Sequence, residues 1–363
     1  MKPFKSVLAS MIIVATISLP VYATPTISAV TRQGNAFVVS GSGFGTDAGV
    51  TAPLFWDNFD SGTANSYLVT QMAGSVPWTL NTTPKATYTT LQKHSGTQSA
   101  YALHSNGYHW SFFTVGNLTT PLPSSLTYYQ TFWFRYNTPR PLGTTGETKL
   151  ARIFGNDLTY GIPDKPYSKT GGVGSWWFTN YKTENATSET TKTYPQEPSE
   201  STWHRVDAYY KQSSVGGAGD GAIKILIDGV PQVDLKNLVT RDTNDYRWIT
   251  VDFFGGMTNW DTNNTGLTWQ KWIDDAYLSK TWQHVEICDS PTWTAGAHCE
   301  IQPVTAWSDT QITAPINAGS FPNGQSAYLY VMDLNGVVNS TGTAVTIGTI
   351  PTAPKNVTVT PVK

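Results

Sequence analysis

Val38-Val39-Ser40-Gly41-Ser42-Gly43-Phe44-Gly45-Thr46 is the stretch whose reading decides how this chain is built. A β-branched pair enters it, and glycines at alternate positions then mark a tight corner rather than a continuing strand. A second strand-type run, Thr26-Ile27-Ser28-Ala29-Val30, precedes it. Far along the chain, Thr305-Ala306-Trp307-Ser308-Asp309-Thr310-Gln311-Ile312-Thr313 has the same brief strand-and-turn character. What lies between is different: longer strands, crowded with aromatic rings.

The whole chain has 363 residues, with 13% charged and 13% aromatic side chains, including 14 Trp and 18 Tyr. Abundant β-branched and aromatic residues suit a pleated, half-buried surface, and no long helical periodicity interrupts them, so the fold class is all-β. The length suits two domains. The net charge of -2 gives no electrostatic grip on nucleic acid or anionic membrane, so neither is an expected partner. Residues 1–23 read as a signal peptide: Lys2 and Lys5 lead a short apolar run from Val7 to Leu19, and Val21-Tyr22-Ala23 supplies the cleavage positions. The expected location is secreted, periplasmic or cell-surface. In an oxidising compartment Cys288 and Cys299, flanking a turn-rich stretch between two strand-type runs, are expected to form a disulfide across a hairpin. A metal site of Cys288, Cys299 and His298 would lack a fourth ligand.

In the middle segment, residues 128–136 alternate, with Tyr128, Gln130, Phe132, Phe134 and Tyr136 on one face and Tyr129, Thr131, Trp133 and Arg135 on the other. Residues 203–211 set His204, Val206, Ala208 and Tyr210 against Trp203, Arg205, Asp207 and Tyr209. Ala222 to Ile227 enters Asp228-Gly229, a two-residue hairpin signal, and Val230 to Val233 returns. Many short strands with Gly and Pro turns predict a two-sheet sandwich or jelly roll.

Two resemblances sharpen this. The glycine corner and the "WSDTQI" strand at 307–312 together resemble one immunoglobulin-like IPT/TIG module. That resemblance implies a split β-sandwich of residues 24–50 plus 281–350, with 51–280 inserted into one of its loops and 351–363 left as a linker or edge strand. Insertion at an exposed loop adds little closure entropy. In the insert, "FWDNFDSG" (55–62), "LTYYQTFWFRYN" (126–137), "KLARIFG" (149–155), "WHRVDAYYKQ" (203–212), "GAIKILIDGVPQ" (221–232), "VDFFGG" (251–256) and "WIDDAYLS" (272–279) occur in order. This order resembles the concanavalin A-like jelly rolls, in particular those of the polysaccharide-lyase type. The resemblance implies a curved sheet whose groove takes a polysaccharide. Fold alone does not assign chemistry.

Glycoside hydrolysis needs two carboxylates facing across the scissile bond, and the Glu-x-Asp-x-Glu strand of related glucanases is absent. Asp274 and Asp275 are adjacent and, on a regular strand, would point to opposite faces. β-Elimination at a uronate needs a cation for the carboxylate, a base and an acid. Lys149, Arg152, Tyr181 and His204 are the candidates, and Lys149 best matches the lyase family's Lys-Leu segment. Against this, Ser175-Trp176-Trp177 stands where related lyases carry Arg beside Ser, and the Arg-x-Glu-x-Arg and Gln-x-His strands are missing. Binding alone needs less: rings that stack on sugar faces and planar polar groups that read hydroxyls. Trp133, Arg135, Trp177 and Trp260 are the candidates for it. The leading expectation is therefore an exported polysaccharide-binding protein; a uronate-cleaving lyase comes second, and a structural or adhesin-type surface component with a protein partner third. No cofactor is required. The jelly-roll resemblance also implies a structural calcium held by Asp57, Asp60 and Asp275.

Overall fold

The computed structural model describes residues 23–46, 52–69, 71–79, 85–104, 109–111, 113–117, 119–137, 147–155, 167–171, 175–180, 190–194, 198–241, 243–258 and 269–348. In 104, 109–111, 147–149, 154, 167–171, 175–180, 190–194 and 255–258 the description is of the backbone alone. Among these residues the structure is all-β, with four antiparallel sheets.

The opening stretch and its distant counterpart share a sheet. Ala36–Ser42 pairs with Thr26–Gln33 on one side and with Gln311–Pro315 on the other, Val39 opposite Ile312. A second small sheet runs Cys299–Gln302, His284–Cys288, Ser326–Met332, Thr343–Thr346. Phe37, Val39, Ile312, Val285, Ile287 and Leu329 fill the space between the two as one buried core. The glycine corner works as its composition suggests. Gly45 has φ +81°, a conformation that costs glycine no Cβ clash, and the carbonyls of Phe44 and Gly45 accept the Trp307 indole N–H at 3.3 and 3.1 Å.

The middle segment forms two larger sheets. One runs Val230–Leu238, Gly221–Ile227, His204–Lys211, Thr127–Tyr136, Trp269–Ser279, Phe55–Asp57. The other runs Thr190–Tyr194, Ser175–Asn180, Tyr167–Gly171, Glu147–Gly155, Trp248–Asp252, Thr114–Val115. Between them lies a core to which Tyr128, Phe132, Phe134, Val206, Ala208, Tyr210, Ile153 and Val251 belong. Tyr128, Phe132 and Phe134, and likewise Val206, Ala208 and Tyr210, are sets that alternation placed together on one face of their strands.

The opposite face of residues 128–136, which holds the sugar-binding candidates Trp133 and Arg135, belongs to a sheet face that is in part covered. Trp56, Tyr129, Tyr209 and Tyr277, on the outer face of the first large sheet, pack in one buried cluster with Ile301 and Met332 of the small sandwich. Trp282, Trp293 and Val338 complete it. A second sheet, rather than solvent or a sugar chain, covers these rings.

Candidate functional site

Arg205 is the polar centre of that contact. Its guanidinium is buried and bonds Thr131 Oγ1 at 3.0 Å, Asp207 at 2.7 Å, the Cys299 carbonyl at 2.7 Å and the Glu286 carboxylate. Burial alone would raise the Glu286 pKa, but the charges of Arg205 and His284 beside it outweigh this and hold it at about 2. Arg205 thus joins the middle segment to the small sandwich through one ion pair, to Glu286, and a hydrogen bond to the Cys299 carbonyl, while Asp207 pairs with it on its own strand.

Beside this contact opens a cleft of about 440 Å³, within the size range of ligand sites. Trp203, Tyr209, Lys224 and Asp228 line one wall, and Trp293 and His298 of the disulfide hairpin the other. The Cys288–Cys299 bridge is present as expected, with Cα atoms 4.1 Å apart. These thiols are therefore not metal ligands.

Trp133 is not a solvent-facing sugar platform. It is 8% exposed, its ring stacks on His94 with centroids 3.7 Å apart, and its Nε1 donates to Glu300 Oε2 at 3.0 Å. Arg135 is half-buried and donates to the Ser201 carbonyl. Arg152 is likewise spoken for. It is 1% exposed and paired with Asp252, which stands opposite it in the strand register and also accepts from Thr114 Oγ1 at 2.7 Å. His204 sits beneath the first large sheet, its Nδ1 2.6 Å from Asp228 Oδ2 and its Nε2 2.9 Å from the Ser199 carbonyl. Both ring nitrogens are engaged there, and Arg152 belongs to the other sheet, so Arg152 and His204 do not converge. Tyr181 and Trp260 lie outside the described residues.

Lys149 and Trp177 do come together at the level of register. Lys149 stands opposite Lys169, Lys169 opposite Trp177, and Trp177 opposite Thr193, on four successive strands of the second large sheet. Residues paired in this way share a face of a sheet. Tyr167, two positions before Lys169, stands opposite Arg152.

The carboxylates considered for calcium are each satisfied by protein donors. Asp57 Oδ1 accepts from the Phe59 amide and Oδ2 from Trp78 Nε1, both at 2.8 Å; burial pushes its pKa up to about 7 against the lowering effect of these bonds. Asp60 Oδ1 accepts from the Thr97 amide at 2.6 Å and from Thr97 Oγ1 at 2.8 Å. Asp275 Oδ2 accepts from Ser95 Oγ at 2.7 Å and Oδ1 from Asn317 Nδ2 at 3.3 Å. The expected opposition of Asp274 and Asp275 is overturned by a bulge. The register slips between Asp274 and Tyr277, and Asp275 takes φ +48°. Both carboxylates then reach the turn at His94-Ser95, Asp274 Oδ2 accepting from the two amides at 2.9 and 3.2 Å. Burial first, and then the nearby charge of Glu300, raise Asp275 to about 7.

The sequence reading missed His94, Glu300 and Ser320. His94 Nε2 and His298 Nε2 each lie 2.8 Å from Glu300 Oε1. His94 and Glu300 are 206 residues apart, and no local pattern could join them.

No family model matches the chain, and no curated protein matches it. Among solved structures it is similar to an endo-β-1,4-glucuronan lyase from Trichoderma reesei, with 17% identity, TM-score 0.44, and 61% of this chain and 97% of that one covered. It is also similar to an alginate lyase from Aplysia kurodai, with 14% identity, TM-score 0.39, and coverage of 53% and 86%. A third is the alginate lyase vAL-1 from a Chlorella virus, with 10% identity, TM-score 0.41, and coverage of 53% and 88%. Likeness at this level assigns neither substrate nor activity to this chain.

Proposed function

We propose that this is an exported protein that binds an acidic polysaccharide across the second large sheet of the middle segment. The observation that carries this reading is the ladder Lys149–Lys169–Trp177–Thr193 on four neighbouring strands. Three inter-strand steps span roughly 14 Å, room for several sugar units laid across the strands. Lysine cations suit uronate carboxylates, an indole suits the apolar face of a pyranose, and a threonine hydroxyl suits its polar edge. On the other large sheet the small sandwich covers Trp56, Tyr129 and Tyr277, which leaves less of that face for a sugar chain. The disulfide accords with export.

Affinity electrophoresis against alginate, glucuronan and a neutral glucan tests this. Retention by the uronates, reduced at least about tenfold in Lys169→Ala and Trp177→Ala but unchanged in Trp203→Ala of the cleft, supports the sheet as the binding face. Equal retention in all variants overturns it. Tyr167, opposite Arg152 and close to the lysine rung, supports a second reading in which the bound chain is cleaved by β-elimination. That reading predicts growing ultraviolet absorbance from unsaturated uronate ends, lost in Tyr167→Phe; a flat trace with retained binding eliminates it.

A further inference from the structure

His94, His298 and Glu300 converge from opposite sides of the domain contact. His94 belongs to the middle segment; His298 and Glu300 belong to the hairpin of the small sandwich. The two imidazole Nε2 atoms and the carboxylate oxygen all lie within 4.8 Å of one another. We propose that these three side chains form a zinc site that pins the middle segment to the small sandwich.

The donor set is the first reason. Two imidazoles and one carboxylate are a recurring zinc complement, leaving a fourth position for water or another oxygen. Ser320 Oγ lies close to these donors, 2.9 Å from His298 Nε2 and 3.2 Å from Glu300 Oε1. The second reason is preorganisation. Glu300 is fully buried, and Trp133 Nε1 already occupies its Oε2, leaving Oε1 to face the two rings. The His94 ring is clamped against Trp133, and its own amide is bonded to Asp274 Oδ2 at 2.9 Å. The His298 ring meets the edge of Phe321 at 5.0 Å, and its amide donates to Asp289 Oδ1 at 3.2 Å, beside the bridged Cys299. Rings and carboxylate held from behind in this way lose little freedom when an ion arrives.

The third reason is crowding. Glu300 Oε1 receives both imidazoles together with the Ser320 amide at 3.0 Å and its hydroxyl at 3.2 Å. A tetrahedral ion with bonds of ~2.0 Å would set these ligand atoms ~3.3 Å apart, so a displacement of a few tenths of an ångström from the 2.8 Å contacts makes room for it. Each imidazole then binds through its Nε2 lone pair with its hydrogen on Nδ1.

Untagged full-length protein, stripped with chelator and titrated with Zn²⁺ by calorimetry, tests the site. One saturable ion per chain is expected, with affinity reduced about 100-fold or more in His298→Ala and in His94→Ala. The His298 side chain is 31% exposed, so its alanine variant leaves the fold least disturbed. Co²⁺ gives an independent reading, with the visible bands of a tetrahedral nitrogen-and-oxygen site in the wild type and their loss in His298→Ala. Absence of saturable Zn²⁺ binding in the wild type overturns the proposal. So does binding that neither histidine substitution weakens.

Discussion

Arg205 holds two buried carboxylates at once, Asp207 on its own strand and Glu286 on the small sandwich. Removing one member of such a group leaves uncompensated charge in a dry place, which costs about 3–5 kcal/mol. Arg205→Ala is therefore expected to lower the denaturant midpoint by that order, and combination with Glu286→Gln should cost less than the sum of the two. Additive effects would show that the pair is not coupled. The titrating groups act in opposite directions. Glu286 is depressed from 4.5 to about 2, so its stabilisation is present above 4.5 and is lost as pH falls through about 2. Asp57 is raised from 3.8 to about 7, so the folded state keeps a proton that the unfolded chain has released, and stability falls as pH rises between those values. Its slope is at most about 1.4 kcal/mol per pH unit. Asp57→Asn removes this titration, and unfolding measured across that interval should show a flatter pH dependence than in the wild type. An unchanged slope would mean that Asp57 ionises normally.

The hairpin joining Gly221–Ile227 to Val230–Leu238 was legible from two residues alone. Asp228 and Gly229 have φ +50° and +71°, the mirror-image turn that Asp-Gly favours. What the sequence could not reveal is where this turn points. A Cβ on Gly229 would come within 2.7 Å of the Gly296 backbone nitrogen, in the disulfide hairpin of the small sandwich. Gly229→Ala thus combines a left-handed backbone, about 1–2 kcal/mol, with pressure on a distant loop. The expected result is a loss of stability larger than that for the same substitution at Gly217, which has φ +77° and open space around it. Equal losses at the two sites would show that the hairpin tip does not bear on its neighbour. The outer faces of the strands misled for a related reason. Tyr129, Tyr209 and Trp133 alternate correctly, but rings that would stack on sugar and rings that bury against a second sheet are the same residue types. Alternation assigns a face and is silent about its partner. His94 with Glu300 was illegible for a different reason: only the packing of two sheets brings them within 2.8 Å.

At the scale of the molecule, the glycine corner and the Trp307 strand could be read together because they share one sheet and one core. The middle segment leaves and returns at nearly the same point, since Gln283 Nε2 donates to the Phe44 carbonyl at 3.0 Å. Chain ends this close can be joined by a short loop at little entropic cost. Replacing residues 47–280 by a Gly/Ser loop of about five residues should therefore leave a small sandwich that folds by itself around Val39, Ile287 and Leu329. It would not be unchanged. Ile301, Met332 and Trp282 lose the rings that cover them, and Glu286 exchanges Arg205 for water. The excised form should accordingly show a β-type circular dichroism spectrum and a cooperative melt at lower temperature than the whole protein. A greater tendency to associate through the bared apolar face is expected as well. Restoring polarity there, with Met332→Lys, should suppress the association in the short form, while in the full chain it should destabilise, because Met332 is 7% exposed against Tyr209. A short form with no cooperative transition would show that the small sandwich depends on the middle segment for its fold and is not its independent mount.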